Sequence, residues 1–419
     1  MIPQIKQRIE QLRRSEVPEG YKKTKVGVVP SEWEETRFKK MFSRLSRKNK
    51  ENNDNVLTIS AQYGLISQRD FFNKDIASED KSNYFLLHKG EFAYNKSYSN
   101  GYPFGALKRL DMYHKGIVSP LYICFSASEN NKCPDFYCHY FEAGMMNREI
   151  QAFAQEGARN HGLLNISVDD FFNSYLLMPP LAEQKKIAEI LSAQDKLIAL
   201  KEKLIEEKKR QKKYLMQQLL TGKKRLPGFS GEWIDVKLGD VFEERVETNC
   251  QDFELLSVTG TNGVVPRSTI DVKDNSSEDK SKYLKISKGD IGYNTMRMWQ
   301  GVSALSEYEG IVSPAYTILI PSEKISAKYF SYLFKMHAVI FLFYRFSQGI
   351  VDDTRSLKYY EFAKLHLMVP ADKNEQEAIA KILTTSDKEL AILQNELDKE
   401  KQKKKALMQL LLSGVVRVY

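Results

Sequence analysis

Residues 183–222 read EQKKIAEILSAQDKLIALKEKLIEEKKRQKKYLMQQLLTG, with no proline and no glycine before the last position. Adjacent apolar pairs recur seven apart, at Ile190/Leu191, Leu197/Ile198 and Leu204/Ile205, with Ile187 before them and Leu215 and Leu219 after. A period near 3.5 predicts one apolar stripe along a single long helix. Gly222 suits the left-handed position that ends a helix. The helix would rise roughly 58 Å at 1.5 Å per residue, and a stripe of that length needs a partner to cover it.

The same chain offers one. Residues 375–414 read EQEAIAKILTTSDKELAILQNELDKEKQKKKALMQLLLSG and match the first stretch at eighteen of forty positions with no gap. The matches include Glu183/Glu375, Gln184/Gln376, Ile187/Ile379, Asp195/Asp387, Leu219/Leu411 and Gly222/Gly414. Two unrelated charged helices would not agree so often in register, so the chain is a tandem duplication offset by 192 residues.

The duplication extends beyond the helices. VPSEWEETRFKKMF, around Trp33, matches FSGEWIDVKLGDVF, around Trp233. LTISAQYGLISQRDF matches LLSVTGTNGVVPRST with a shift of one residue, placing Gly64 opposite Gly263. Ser78–Tyr84 is echoed by Ser277–Tyr283, and Lys89-Gly90-Glu91 through Tyr94-Asn95 by Lys288-Gly289-Asp290 through Tyr293-Asn294. Gly116-Ile117-Val118-Ser119-Pro120 recurs unchanged at 310–314. These short runs, rich in Val, Ile, Tyr and Phe and broken by Gly, Pro and Asn, read as strands and turns. Helical patterns follow at 135–154 and 328–346. The expected fold is α+β, with two tandem globules of mixed strands and helices, each attached to one long helix. The expected boundaries are an N-terminal helix at 1–20, a globule at 21–180, a helix at 181–222, a second globule at 223–371 and a second helix at 372–419. The N-terminal segment IPQIKQRIEQLRR carries Ile2, Ile5, Ile9 and Leu12 on one side. It is expected to pack against the C-terminal helix and close the duplication into a ring.

Composition bounds the function. The 419 residues are 42% hydrophobic, enough for sizeable cores, and 63 Lys+Arg against 54 Asp+Glu give +9 and a pI near 9.0. That balance hints at an anionic partner. Residues 183–225 concentrate it, with 13 Lys/Arg against 6 Asp/Glu; the lysines read as a solvated face, with the phosphates of DNA as the alternative partner. Cys124, Cys133, Cys138 and Cys250 form no CxxC, which points to a reducing compartment and away from zinc. The longest apolar run, 338–344, is too short to cross a bilayer. A soluble, cytoplasmic protein is expected.

The motifs of catalysis are missing. There is no GxxxxGK[ST] for ATP, no Asn-Pro-Pro-aromatic or Asp-Pro-Pro-Tyr of amino-methyltransferases, and no glycine-rich nucleotide turn. Glu206-Glu207-Lys208 fits half of a nuclease carboxylate motif, but on a helix crowded with Lys and Glu such a triplet arises by chance. Cys133, Cys138 and His139 lack a fourth metal ligand and read as core. No catalytic residue, metal site or cofactor site is expected in this chain.

The loops carry a different chemistry. Where the scaffold matches, the segment between the Tyr-Asn and Gly-Ile-Val-Ser-Pro motifs diverges. It is KSYSNGYPFGALKRLDMYHK in the first half and the shorter TMRMWQGVSALSEYE in the second. Lys96, Tyr98, Asn100, Tyr102 and Lys108, and in the second half Met296, Arg297, Trp299 and Gln300, are candidate DNA-contacting residues. Lys, Arg, Asn and Gln hydrogen-bond base edges, and aromatics and Met add apolar contact. A second candidate loop follows each helical pattern, with Arg159, Asn160 and His161 in one half and Thr354 and Arg355 in the other.

Three stretches then carry a resemblance. They are Pro179-Pro180-Leu181-Ala182-Glu183-Gln184 opening the first helix, Pro370 with Glu375-Gln376 opening the second, and Leu226-Pro227-Gly228-Phe229-Ser230-Gly231-Glu232-Trp233 opening the second globule. With the repeated Gly-Ile-Val-Ser-Pro, the chain resembles the specificity subunit of type I restriction–modification systems over nearly its whole length. One departure is Ala371-Asp372-Lys373-Asn374, which puts two more residues between proline and Glu-Gln than the first copy has. The resemblance implies two target-recognition domains and two helices paired as an antiparallel coiled coil under a pseudo-two-fold axis. It implies binding to a bipartite double-stranded DNA sequence, one part per domain, with an unread spacer. Two modification subunits would bring S-adenosylmethionine and methylate adenine, and restriction subunits would bring ATP and Mg2+. A specificity subunit serving only a methyltransferase, and a coiled-coil scaffold that tethers proteins without reading DNA, are the alternatives.

Overall fold

Two long helices, Leu181–Leu219 and Lys373–Leu412, carry the architecture. The structure is a computed structural model. It describes residues 3–60, 64–72, 80–98, 101–156, 164–260, 262–270, 277, 279–351 and 354–418. The chain divides into two compact units, one of Met1–Leu200 with Leu397–Tyr419 and the other of Lys201–Glu396. The division falls within both long helices, so each unit holds part of each.

In the first unit the start of the first helix packs on the end of the second. Ile187, Ala188 and Leu191 share a core with Met408, Leu411 and Leu412. Glu183 meets Arg417, and eleven residues on, Gln194 donates to the backbone and side-chain oxygens of Glu400, at 3.2 and 2.7 Å. One index rises as the other falls, so the pair is antiparallel. Gln194 is buried within the seam, and a polar residue there fixes register at some cost in stability.

The globule of this unit is built on a four-stranded antiparallel sheet ordered Phe42–Leu45, Ile123–Ala127, Phe92–Asn95, Ala106–Arg109. Two-stranded antiparallel pairs flank it: the hairpin Leu57–Ser60 with Gly64–Ser67, and the non-local pairs Phe85–His88 with Lys115–Val118 and Glu34–Arg37 with Tyr175–Met178. Phe38, Phe42, Phe92, Phe125 and Phe141 fill the core between sheet and helices. The N-terminal helix Pro3–Arg13 buries no residue. It reaches the turn just past the C-terminal helix, where Arg8 donates to Val415 O at 2.5 Å. Tyr21, beneath the Arg8 guanidinium, donates to Gly414 O at 2.6 Å.

The second unit repeats these devices. Its sheet runs Phe242–Glu244, Tyr316–Pro321, Ile291–Asn294, Ser303–Leu305. The flanking pairs are Leu256–Thr259 with Gly263–Pro266, Leu284–Ile286 with Gly310–Val312, and Trp233–Lys237 with His366–Pro370. Lys201 pairs with Glu396 at 2.7 Å, Lys208 with Glu389 at 2.6 Å, and Lys212 with Asp387. Lysines that read as a solvated face therefore join the two helices.

The repeated sequence motifs have specific uses. Glu91 and Asp290 each accept the backbone N–H that opens the Lys-Gly turn, from His88 at 2.7 Å and Ser287 at 2.8 Å. Each also holds an arginine, Arg47 and Arg245. The glycine of Gly-Ile-Val-Ser-Pro is packed out: a Cβ at Gly116 would lie 2.4 Å from Leu57 Cδ1, and at Gly310 2.6 Å from Leu256 Cδ1. Gln184 and Gln376 both donate to the proline carbonyl that precedes their helix, Pro179 at 2.7 Å and Pro370 at 2.8 Å. The inserted residues before Glu375 are thus absorbed in the helix start.

Two expectations change. Leu191 and Ile205 are buried in their units while Leu197 and Leu204 are exposed. Neighbours on a helix point about 100° apart, so one residue of each apolar pair faces the seam and the other stays at its rim. The single helical patterns at 135–154 and 328–346 are each two helices. Pro134–Glu142 and Asn147–Phe153 are separated by Gly144 at φ 69°, and Ala327–Leu333 and His337–Phe346 by Met336 in extended backbone. Apolar periodicity runs through both breaks, which hid them.

Candidate nucleic-acid interface

In the second unit the variable loop is a short knot held by its own backbone. Asn294 accepts the N–H of Met296 on its side-chain oxygen and that of Arg297 on its carbonyl, both at 3.0 Å. A 3-10 turn, Met298–Gln300, drives Met298 into the core and ends at Gly301 in the left-handed region, φ 80°. A Cβ there would meet Ile340 Cδ1 at 2.7 Å, so the glycine answers both backbone and space. Trp299 Nε1 donates to Met296 O at 2.9 Å. Met296, Arg297 and Gln300 stand exposed, and the Arg297 side chain makes no hydrogen bond or ion pair among the described residues.

The helix His337–Phe346 turns Val339 and Phe343 to the core and leaves Phe341 and Tyr344 outward. Tyr344 then joins the two predicted loops. Trp299 meets its ring edge-on at 6.0 Å. Arg355 lies over the same ring, 4.1 Å from the centroid, and donates to its hydroxyl at 2.9 Å. Gln348 and Ser356 close the second loop through paired backbone hydrogen bonds of 2.9 and 2.8 Å. Thr354 folds back on Val351 O at 3.0 Å. Ile350 is 98% exposed at the tip, an apolar residue presented to solvent. The Leu357 N–H donates to Thr295 O at 2.8 Å, so the two loops rise from one root.

The first unit shares that root. Leu164 N–H donates to Lys96 O at 3.1 Å, and Gln155–Glu156 pairs with Leu164–Asn165 to bracket the second loop. Asn95 accepts the Ser97 N–H at 3.0 Å, as Asn294 accepts that of Met296. Lys96 is half-buried and Tyr98 is 62% exposed. Tyr102 and Lys108 are engaged elsewhere: Tyr102 donates to Glu142 at 2.7 Å, and Lys108 forms an ion pair with Glu142 and donates to the Tyr102 hydroxyl at 3.0 Å. Burial, reinforced by Glu142, pushes the Tyr102 phenol above its usual range. Asn100, Arg159, Asn160 and His161 lie outside the described residues.

Sequence reading missed Tyr344, Glu142 and Lys335. Lys335 donates to Gly301 O at 2.7 Å and Ser303 O at 2.6 Å, and burial pulls its ammonium down to about 8. An aromatic pair at 341 and 344, opposite the core pair at 339 and 343, was the available signal for Tyr344. Cys133 and His139 are buried and Cys138 is partly so. Burial holds the His139 imidazole below its ordinary value; its Nε2 lies 3.0 Å from Ser192 Oγ.

What such a surface can do is contact bases. Guanidinium, amide and exposed aromatic or apolar groups, held on a rigid sheet by glycine-limited loops, suit base edges and methyl groups.

The chain is similar to several known proteins. The family described as "Type I restriction modification DNA specificity domain" matches twice, over residues 30–210 and 230–401. A putative type I restriction enzyme MjaX specificity subunit of Methanocaldococcus jannaschii is 23% identical over 96% of this chain and 97% of its own length. The MjaVIII specificity subunit of the same organism is 24% identical over 73% and 75%. A type I restriction–modification S subunit from M. genitalium has a similar fold, with a TM-score of 0.53 at 14% identity over 90% of this chain and 96% of that one. A chain from a type I restriction–modification complex studied for its assembly and conformational transition reaches 0.54 at 14% identity, over 93% and 99%.

Proposed function

The chain belongs to the type I restriction modification DNA specificity family, with two specificity domains, and from that premise we propose that it chooses the DNA sequence on which its partners act. Residues 21–180 read one part of a bipartite target and residues 223–371 the other. The helical regions 181–222 and 372–419 dock two modification subunits, which carry S-adenosylmethionine and methylate adenine. Restriction subunits, which use ATP and Mg2+, join that assembly to cleave. The chain itself positions and does not catalyse.

The observation that carries this reading is the shared root of the two loops in each half, Lys96 with Leu164 and Thr295 with Leu357. It brings the start of the variable loop and the end of the second candidate loop together at equivalent positions in both halves. A protein-tethering scaffold has no need to gather them there. The test is methylome sequencing of cells carrying this chain with its modification subunits, alongside duplex binding at graded salt. A single bipartite motif and a steep salt slope are expected. Binding indifferent to sequence, with no methylated motif, would overturn the reading.

A further inference from the structure

The two reading loops are anchored from equivalent positions by groups of opposite charge. Phe141 and Phe334 occupy the same place, packed on Phe42 at 5.6 Å and on Phe242 at 5.8 Å. One turn earlier, Tyr137 and Phe330 meet those same phenylalanines edge-on at 5.4 and 5.2 Å. The residue after each phenylalanine is Glu142 in one half and Lys335 in the other.

Each reaches the variable loop beside the glycine that ends it. Gly105 and Gly301 sit at φ 78° and 80°, and a Cβ at Gly105 would lie 2.2 Å from Asn95 O. Glu142 takes two side chains, the Tyr102 hydroxyl and the Lys108 ammonium. Lys335 takes two main-chain carbonyls, Gly301 O and Ser303 O. The ammonium is desolvated, with no carboxylate beside it among the described residues. Burying a cation there is costly, and its contacts are those that fix the exit of the loop.

Resting on the DNA-reading role above, we propose that Lys335 and Glu142 are positioning residues for target specificity, each setting the shape of one reading loop without touching DNA. Two consequences follow. Tyr102 and Lys108 serve as anchors, which leaves Lys96 and Tyr98 as the described readers of the first loop. Lys335 holds backbone alone, which leaves the exposed side chains of Met296, Arg297 and Gln300 available for contact.

The test uses the full chain with its modification subunits. Lys335→Met should raise hydrogen exchange across 295–303 and degrade the second half of the methylated motif. Discrimination there should fall at least about five-fold, the size of one mismatched base pair, with the first half intact. Lys335→Arg, which can still donate to two carbonyls, should restore it. Glu142→Gln should act on the first half alone. Arg297→Ala is measured in parallel. If it alters the motif and Lys335→Met does not, the positioning role is wrong and the reading of DNA by this loop stands. If neither alters it, both fail. Equal damage to both halves by Lys335→Met would mean general destabilisation and would also overturn the proposal.

Discussion

Arg417 closes its guanidinium on the buried carboxylate of Glu183, with N–O distances of 2.7 and 2.9 Å. The repeat makes the same joint with Arg225 on Glu375, at 2.7 Å twice. Glu183 also accepts from Trp33 Nε1 at 2.8 Å, whereas Trp233 Nε1 has no partner among the described residues. Removing Arg417 leaves a carboxylate 3% exposed without its cation, held among the described residues only by the Trp33 and Val418 N–H groups. Arg417→Ala should therefore cost about 3–5 kcal/mol, the range for breaking a buried ion pair. Calorimetry and hydrogen exchange across residues 413–418 check it. A change below about 1 kcal/mol would mean that the joint is not needed.

Arg297 should read a base. It is exposed, it sits between Met296 and Trp299, and its side chain is uncommitted among the described residues. Arg297→Ala should cost about 1–3 kcal/mol in specific binding and relax one position of the second half-site. Arg355→Ala frees Tyr344 from the stacked guanidinium and should act on the same half-site. Methylome sequencing of both variants reads the outcome.

The halves should read independently. Residues 90–116 form strands and loop of the first unit alone. Replacing them with the corresponding segment of a relative should change one part of the motif and spare the other, provided Glu142 still faces a tyrosine and a lysine. A change in both parts would refute modular reading.

Lys335 makes stability depend on pH. Its ammonium titrates at about 8 in the folded chain against 10.5 ordinarily. Between those values the unfolded chain binds a proton that the folded chain lacks, so stability rises with pH. Below pH 8 both states are protonated and the desolvation cost is constant. Relative to Lys335→Met, the wild type should gain up to about 3 kcal/mol from pH 8 to 10.5. Paired denaturation curves across that range check the sign, and a flat difference contradicts it.

The first half should pair with itself. A fragment of residues 1–222 exposes the Ile187, Leu191, Ile198, Ile205 stripe, and a second copy is its best cover. The seam gives the register of such a dimer. Lys212 would keep an aspartate opposite it, since Asp195 is the repeat of Asp387. Lys201 and Lys208 would face Leu204 and Leu197, the repeats of Glu396 and Glu389. The fragment should dimerise and, with modification subunits, methylate a palindrome of the first half-site. Leu197→Glu with Leu204→Glu should tighten the dimer. Light scattering tests assembly, and a monomer that still supports methylation would sink the idea.

The duplication and the long helices were legible because periodicity and identity at a fixed offset are properties of the sequence alone. The repeated glycines were also legible, since Gly116 and Gly310 answer a leucine packed against them. The first loop of each half was found by divergence and the second by its place after the helical pattern, but the division of labour within them was not legible. Tyr102 and Lys108 look like readers until Glu142, thirty-four residues beyond Lys108, claims them. Tyr344 read as one more apolar helix residue, because the pairing of 341 with 344 against 339 with 343 marks two faces and only tertiary packing shows which of them is buried.

Anchoring by backbone and anchoring by side chain leave different freedoms to descent. A loop gripped through the carbonyls of Gly301 and Ser303 can exchange the exposed residues at 296, 297 and 300 one at a time without loosening its hold. A loop gripped through Tyr102 and Lys108 cannot change either without Glu142 changing too. The second recognition domain is therefore built to drift by single steps to new targets, and the first to move only by exchange of the whole loop together with its anchor.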